Sequence, residues 1–256
     1  MTTIPKCLDD SDYAYFMDNL MDYTTNYEWE AQRISDLLAS KEDDDPIELH
    51  EAKSSDEAET IIGKGCHINQ QTRITLNTPL LSACKQKRND VVLCLLKNGC
   101  DLNLTNKYGE SPLHIAVITN NGEVLKALLD SGANPYAINN LRETLLHNSV
   151  QMNYTNTLLP LLLKYTDNNH VNRLDVKGRS ALRVASAKKP CNSWIEEYNP
   201  IQNVKELINA GADINLLGKR GLSALHVATY GEYTSVVVHL LHNGADVHGR
   251  TGEDGR

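Results

Sequence analysis

The sequence holds a single Phe and two Trp among 256 residues, against eleven Tyr. A core of ordinary make-up in a chain this long uses more Phe. What is buried is therefore aliphatic, drawn from Leu, Ile, Val and Ala. No run of about 18 apolar residues occurs, so no membrane-spanning helix is expected. Met1 to Asp12 holds one Lys and no apolar stretch, unlike a secretory leader. The cysteines Cys7, Cys66, Cys84, Cys94, Cys100 and Cys191 form no CxxC pair and are too sparse for a disulfide framework. They read as reduced thiols of a cytoplasmic protein, with the nucleus also open to it. Phosphate-loop chemistry is missing, since Gly63-Lys-Gly65 and Gly218-Lys-Arg-Gly221 lack the rest of that motif. There is no G-x-S-x-G elbow. His239, His242 and His248 lack a fourth ligand and a partner carboxylate, so they read as surface histidines. No catalytic pair, cofactor site or metal site is expected, and the chain reads as a non-enzyme.

Charge is unevenly placed. The formal net charge is -8, which disfavours nucleic acid and anionic membrane as partners. Residues 1–60 carry 17 acidic and 4 basic side chains, while residues 61–256 carry 16 and 21. An acidic leader thus precedes a mildly basic body.

What is present is a repeat. Asn209-Ala-Gly-Ala-Asp-Ile-Asn215 returns as Asn243-Gly-Ala-Asp-Val-His248, with looser copies at Asn98-Gly-Cys-Asp-Leu-Asn103 and Lys64-Gly-Cys-His-Ile-Asn69. A second landmark runs in phase: Thr78-Pro-Leu-Leu-Ser-Ala83, Ser111-Pro-Leu-His-Ile-Ala116, Thr144-Leu-Leu-His-Asn-Ser149, Ser180-Ala-Leu-Arg-Val-Ala185 and Ser223-Ala-Leu-His-Val-Ala228. Glu48-Leu-His-Glu-Ala52 is a weaker early copy, expected to lead into a shortened second helix up to Gly65. Between the landmarks, apolar residues recur at helical spacing, as in Val124-Leu-Lys-Ala-Leu-Leu129. Helices this short are not stable alone, and a hairpin of two cannot bury its own apolar face. The hairpins must therefore stack. Thr or Ser at the start of each copy suits an N-cap, and Gly99, Gly132, Gly211 and Gly244 suit a left-handed helix end.

Both landmarks resemble the ankyrin repeat, with its 33-residue period and T-P-L-H-x-A signature. The resemblance covers roughly residues 46–256 and implies an all-α solenoid of about six stacked helix-turn-helix units with hairpin loops. It implies that His114, His147 and His226 bond loop backbone, while Leu81 and Arg183 depart from the pattern and leave their loops less rigid. It also implies a protein-protein interaction module that binds through hairpin tips and inner helices, as scaffold or adaptor. Asn69, Asn103 and Asn215 lie eight residues after Ile61, Leu95 and Leu207. That spacing resembles substrates of an intracellular asparaginyl hydroxylase, so these three are candidates for asparagine hydroxylation, readable as a mass increment.

Function in a stack lies where the copies differ. About ten extra residues fall around 188–200, bracketed by Pro190 and Pro200 and holding Trp194 and Tyr198. They form either a surface insertion that packs back on its own stack or a binding loop anchored by Trp194. Lys85, Lys87 and Arg88, with Lys188 and Lys189, form either a solvated face or a basic patch for an acidic peptide. At the tips, Tyr108, Leu141, Val176 and Arg220 are exposed contact candidates. In the third full copy, Pro160 kinks the second helix or defines its start, and Thr166 stands where a capping Gly belongs, which makes that copy the most irregular. Residues 1–45 form an acidic segment, partly disordered, with one capping helix at about 28–41. That segment is a candidate intramolecular ligand of the repeats. Gly249 to Arg256 matches the hairpin before a further unit, so the chain reads as a piece of a longer protein. The alternative function is then the substrate-recognition fragment of a ubiquitin ligase adaptor, or the intracellular arm of an enzyme or channel.

Overall fold

The computed structural model describes residues 48–152, 158–187 and 200–249, all within one compact unit. The leader, with the capping helix expected at about 28–41, and the insertion at 188–199 lie outside the described residues. So do residues 250–256 and the Arg220 side chain.

Helices follow in pairs. They are α1 (Glu48–Glu51) and α2 (Ser55–Gly63), α3 (Pro79–Lys85) and α4 (Asn89–Lys97), α5 (Pro112–Ile118) and α6 (Gly122–Asp130), α7 (Leu145–Gln151) and α8 (Leu158–Leu163). A short helical turn, α9 (Asn168–Val171), comes next, then α10 (Ala181–Ala185) with α11 (Pro200–Asn209), and α12 (Ala224–Tyr230) with α13 (Thr234–His242). The described residues form no strand, only an isolated bridge between Ile138 and Thr144. The first helix of each pair packs on the first helix of the next, giving an inner row α1, α3, α5, α7, α10, α12. In the outer row α2 packs on α4 and α4 on α6, and α8 packs on α11 and α11 on α13. This is the stack of short hairpins that the repeat requires.

The five inner helices after α1 begin the same way. The side chains of Thr78, Ser111, Thr144, Ser180 and Ser223 accept the backbone N–H three residues on. Pro79 and Pro112 sit in the first turn, where the missing N–H has no partner to lose. The core is built of Leu, Ile, Val, Ala and Cys. Ala83, Ala116, Ala185 and Ala228 recur at one inner-helix position, Ala52 holds the matching place just past α1, and all five are buried. A small side chain there lets neighbouring helices approach, and a ring would force the layers apart.

Two hairpins depart from the pattern. In the first, the expected shortening of the second helix is not found. The outer helix α2 has nine residues, as many as α4 and α6. The loss falls on the last turn of α1. The carbonyls freed there are met by the next hairpin, where Arg88 Nη1 donates to Ala52 O at 2.8 Å and to His50 O at 3.3 Å. In the fourth hairpin, the third full copy, Pro160 is the third residue of α8, inside its first turn, and α8 ends after six residues. Thr166 is not among the left-handed residues. The chain instead makes α9, capped by Asp167, whose carboxylate accepts the His170 N–H at 2.8 Å.

Candidate protein-binding surface

The hairpin tips precede the inner helices and are built from one recurring turn. The Asn106 side-chain oxygen accepts the N–H groups of Tyr108 at 2.9 Å and Glu110 at 3.0 Å, and its amide donates to Glu110 Oε2 at 2.9 Å. Asn139 repeats this with Leu141 and Glu143. Asp175 repeats it with Lys177 and Arg179, but with the charges exchanged. Its second oxygen accepts from Arg179 Nε at 2.7 Å. A short polar side chain that accepts two residues on is what fixes such a turn.

Successive tips are tied to each other. Lys107 N donates to Thr75 O at 2.9 Å, Asn140 N to Tyr108 O at 3.0 Å, and Val176 N to Leu141 O at 2.9 Å. The tips therefore form one ridge beside the inner row. This explains why Tyr108, Leu141 and Val176 are half-buried rather than fully exposed, since each lies against the backbone of the adjacent tip. Ile74 and Leu76, on the first tip, are 57% and 40% exposed.

Beneath the ridge lies a buried polar junction. Glu143 has no exposed surface. Its carboxylate accepts from Asn139, from Gln151 at 2.9 Å and from Asn148 at 3.3 Å. Arg179 Nη2 lies 3.6 Å from it, while Arg179 Nε holds Asp175. One guanidinium thus serves two carboxylates on successive tips. His147 Nε2 donates to the Arg179 carbonyl at 2.9 Å, and its Nδ1 accepts the Thr144 N–H. Burial holds the His147 pKa below its ordinary value. The Nδ1 atoms of His114 and His226 accept from Ser111 and Ser223 in the same way. Arg183, which stands where those histidines do, reaches the Gly178 carbonyl at 3.3 Å. His50 completes the series at the first copy, bonding Ser82 Oγ at 3.1 Å and the Gln70 carbonyl at 3.0 Å. The sequence pattern missed its role because Thr-Pro is absent there.

Lys85, Lys87 and Arg88 are not beside the tips. They lie at and just past the C-terminal end of α3, about 10 Å along the helix from its N-cap. Lys85 is half-buried, Lys87 is exposed, and Arg88 closes the end of α1. Lys188, Lys189, Trp194 and Tyr198 lie outside the described residues. Asn69, Asn103 and Asn215 are exposed, and each side-chain oxygen accepts a backbone N–H of the next hairpin, from Asp101, Asn134 and Asp246. Asn172 does the same for Asp213 at 2.7 Å. It was not singled out in the sequence because its copy lacks the Gly landmark. Tyr136 holds the corresponding place in the second full copy, its ring edge-on to His170 at 5.1 Å.

Comparison with known proteins agrees with this architecture. The family model described as ankyrin repeats in three copies matches residues 49–139, and that of a single ankyrin repeat matches residues 220–252. Between them lie the irregular fourth hairpin and the insertion. The p105 subunit of nuclear factor NF-kappa-B from Gallus gallus is 31% identical over 153 residues, covering 59% of this chain and 14% of that protein. Rabankyrin-5 from Mus musculus is 27% identical over 215 residues, 78% of this chain and 18% of the relative. The fowlpox virus protein named putative ankyrin repeat protein FPV014 is 32% identical over 161 residues, 54% of this chain and 36% of the relative. The chain thus spans well under half the length of these relatives. Among solved structures, a chain from the complex of the Bd0816 predatory endopeptidase of Bdellovibrio bacteriovorus with immunity protein Bd3460 superposes with a TM-score of 0.64. It is 25% identical, and the match covers 77% of this chain and 98% of that one.

Proposed function

We propose, from the premise that this chain belongs to the ankyrin repeat family, that it acts as a non-enzymatic adaptor or scaffold holding partner proteins against its tips and inner helices. The observation that carries this is the ridge itself. The tips are fixed internally by Asn106, Asn139 and Asp175 and fixed to each other by backbone hydrogen bonds. A surface ordered before contact loses little conformational freedom on binding. Ankyrin repeats are protein-interaction modules, and partner choice then rests on the side chains that the ridge displays.

Affinity capture with the full chain tests the reading. It is repeated with Trp194→Ala and with Lys85 and Lys87 both changed to Gln. Arg88 is left intact because its loss would open α1. Partners lost with one variant assign the contact to that region. Partners retained by both would remove the insertion and the α3 end as contact sites. Capture of no partner from several sources would count against the adaptor reading.

A second reading is the recognition arm of a larger protein. The small share of each relative that this chain covers favours it. The length of the full transcript decides it. An open reading frame that ended at Arg256 would remove it.

A further inference from the structure

Exposed charge along the tips has one sign. Arg73, Lys107, Arg142 and Lys219 are exposed on four tips, and half-buried Lys177 belongs to the remaining one. The acids of the same tips are turned inward. Glu110, Glu143 and Asp175 are buried beneath the ridge, where Asn106, Asn139 and Arg179 hold them. Negative charge is withdrawn and positive charge is left outside. Among the described residues none of Arg73, Lys107, Arg142 or Lys219 is paired with a carboxylate. The Lys107 ammonium lies 5.0 Å over the Tyr108 ring, and Lys219 Nζ donates to the Val176 carbonyl at 2.7 Å. Both contacts hold the cation in place without cancelling its charge. Apolar side chains lie between the cations: Ile74 and Leu76 exposed, and Tyr108, Leu141 and Val176 half-buried.

We infer that this ridge binds an extended acidic segment of a protein partner, with a carboxylate near every third residue and apolar side chains between. The inference rests on the binding-module reading above and adds the chemistry of the partner. The spacing follows from the stack. Packed helices lie about 8–10 Å apart, and so do successive tips. An extended chain rises about 3.3 Å per residue, so three residues carry it from one tip to the next. A basic line with interleaved apolar side chains fits a peptide better than a continuous phosphate backbone.

The test is fluorescence anisotropy with the full chain and a labelled peptide of about fifteen residues repeating Glu-Leu-Ser, long enough to cross the five tips. A peptide of the same composition with its Glu residues clustered serves as control. So do an oligothymidylate and vesicles rich in phosphatidylserine. One variant changes Arg73, Lys107, Arg142 and Lys219 to Gln. A second changes Lys97, Lys126, Lys164 and Lys205, which are exposed away from the tips, to Gln. The expected result is about tenfold weaker peptide binding in the first variant and little change in the second. The periodic peptide should bind more tightly than every control. If the first variant melts early, changing the four tip cations to Glu and the peptide Glu residues to Lys replaces it, and restored binding supports the ridge. Equal losses in both variants, equal binding of the clustered peptide, or equal binding of the oligothymidylate or vesicles would overturn the proposal. A natural partner held equally by wild type and tip variant would overturn it while leaving the module reading intact. The absence of any natural partner would fall on that reading first.

Discussion

Lys87, Asn120 and Glu232 each carry the chain through the left-handed region between an inner and an outer helix, with φ of 55, 52 and 61°. Asn tolerates that conformation, but Lys and Glu pay about 1 kcal/mol for it. Lys87→Gly and Glu232→Gly should therefore each stabilise the fold by several tenths to about 1 kcal/mol. Asn120→Gly should gain less. Urea unfolding midpoints at unchanged slope check the ordering. His170 belongs to this scale as well. Burial, reinforced by Arg173, lowers its pKa from 6.5 to about 4. The unfolded chain therefore takes up the proton first as the pH falls. The stability contribution is complete above about pH 6.5 and is lost as the pH drops towards 4. Burial lowers the pKa of His147 and of His226 too, which adds to the same trend. Unfolding midpoints should fall across this window, and His170→Asn should flatten the fall. A pH-independent midpoint would contradict the assignment.

At the scale of the element, the N-caps were legible because Thr or Ser followed by a helical run has a local cause. The tips and the glycine turns were legible for the same reason. What stayed hidden depends on a neighbour. Nothing in Glu48-Leu-His-Glu-Ala52 reveals that Arg88, from the following hairpin, closes that helix. Nor could Glu143 and Arg179 be paired by reading along the chain, since they meet only once the third and fourth tips have stacked. Asn172 was hidden because extra residues shift its copy out of register. Arg88→Ala should expose the carbonyls of His50 and Ala52 and loosen α1 locally by about 1–2 kcal/mol. Faster amide exchange in the first hairpin, with the rest unchanged, checks this. Arg179→Met leaves two buried carboxylates without their cation and should cost about 3–5 kcal/mol. Adding Glu143→Gln and Asp175→Asn should recover part of that loss. A triple variant less stable than Arg179→Met would show that the three side chains do not act as a unit.

For the molecule as a whole, the repeat period fixed the architecture before any contact was known. The displayed surface was less legible. The candidate tip residues Tyr108, Leu141 and Val176 are real parts of the ridge but lie against its neighbouring turns. The outward charge comes from cations beside them, and it is outward only because the tip acids fold under. The links between hairpins carry one further consequence. Asn69 to Asp101, Asn103 to Asn134, Asn172 to Asp213 and Asn215 to Asp246 each join a hairpin to the one that follows. The side-chain bond from Lys219 to Val176 spans 43 residues and still joins only adjacent hairpins. Contacts confined to so short a reach make search for the native state a local task, one that is repeated rather than lengthened as units are added. Refolding after dilution from urea should accordingly be fast for a chain of this size, and fraying should start at the end hairpins and advance one unit at a time.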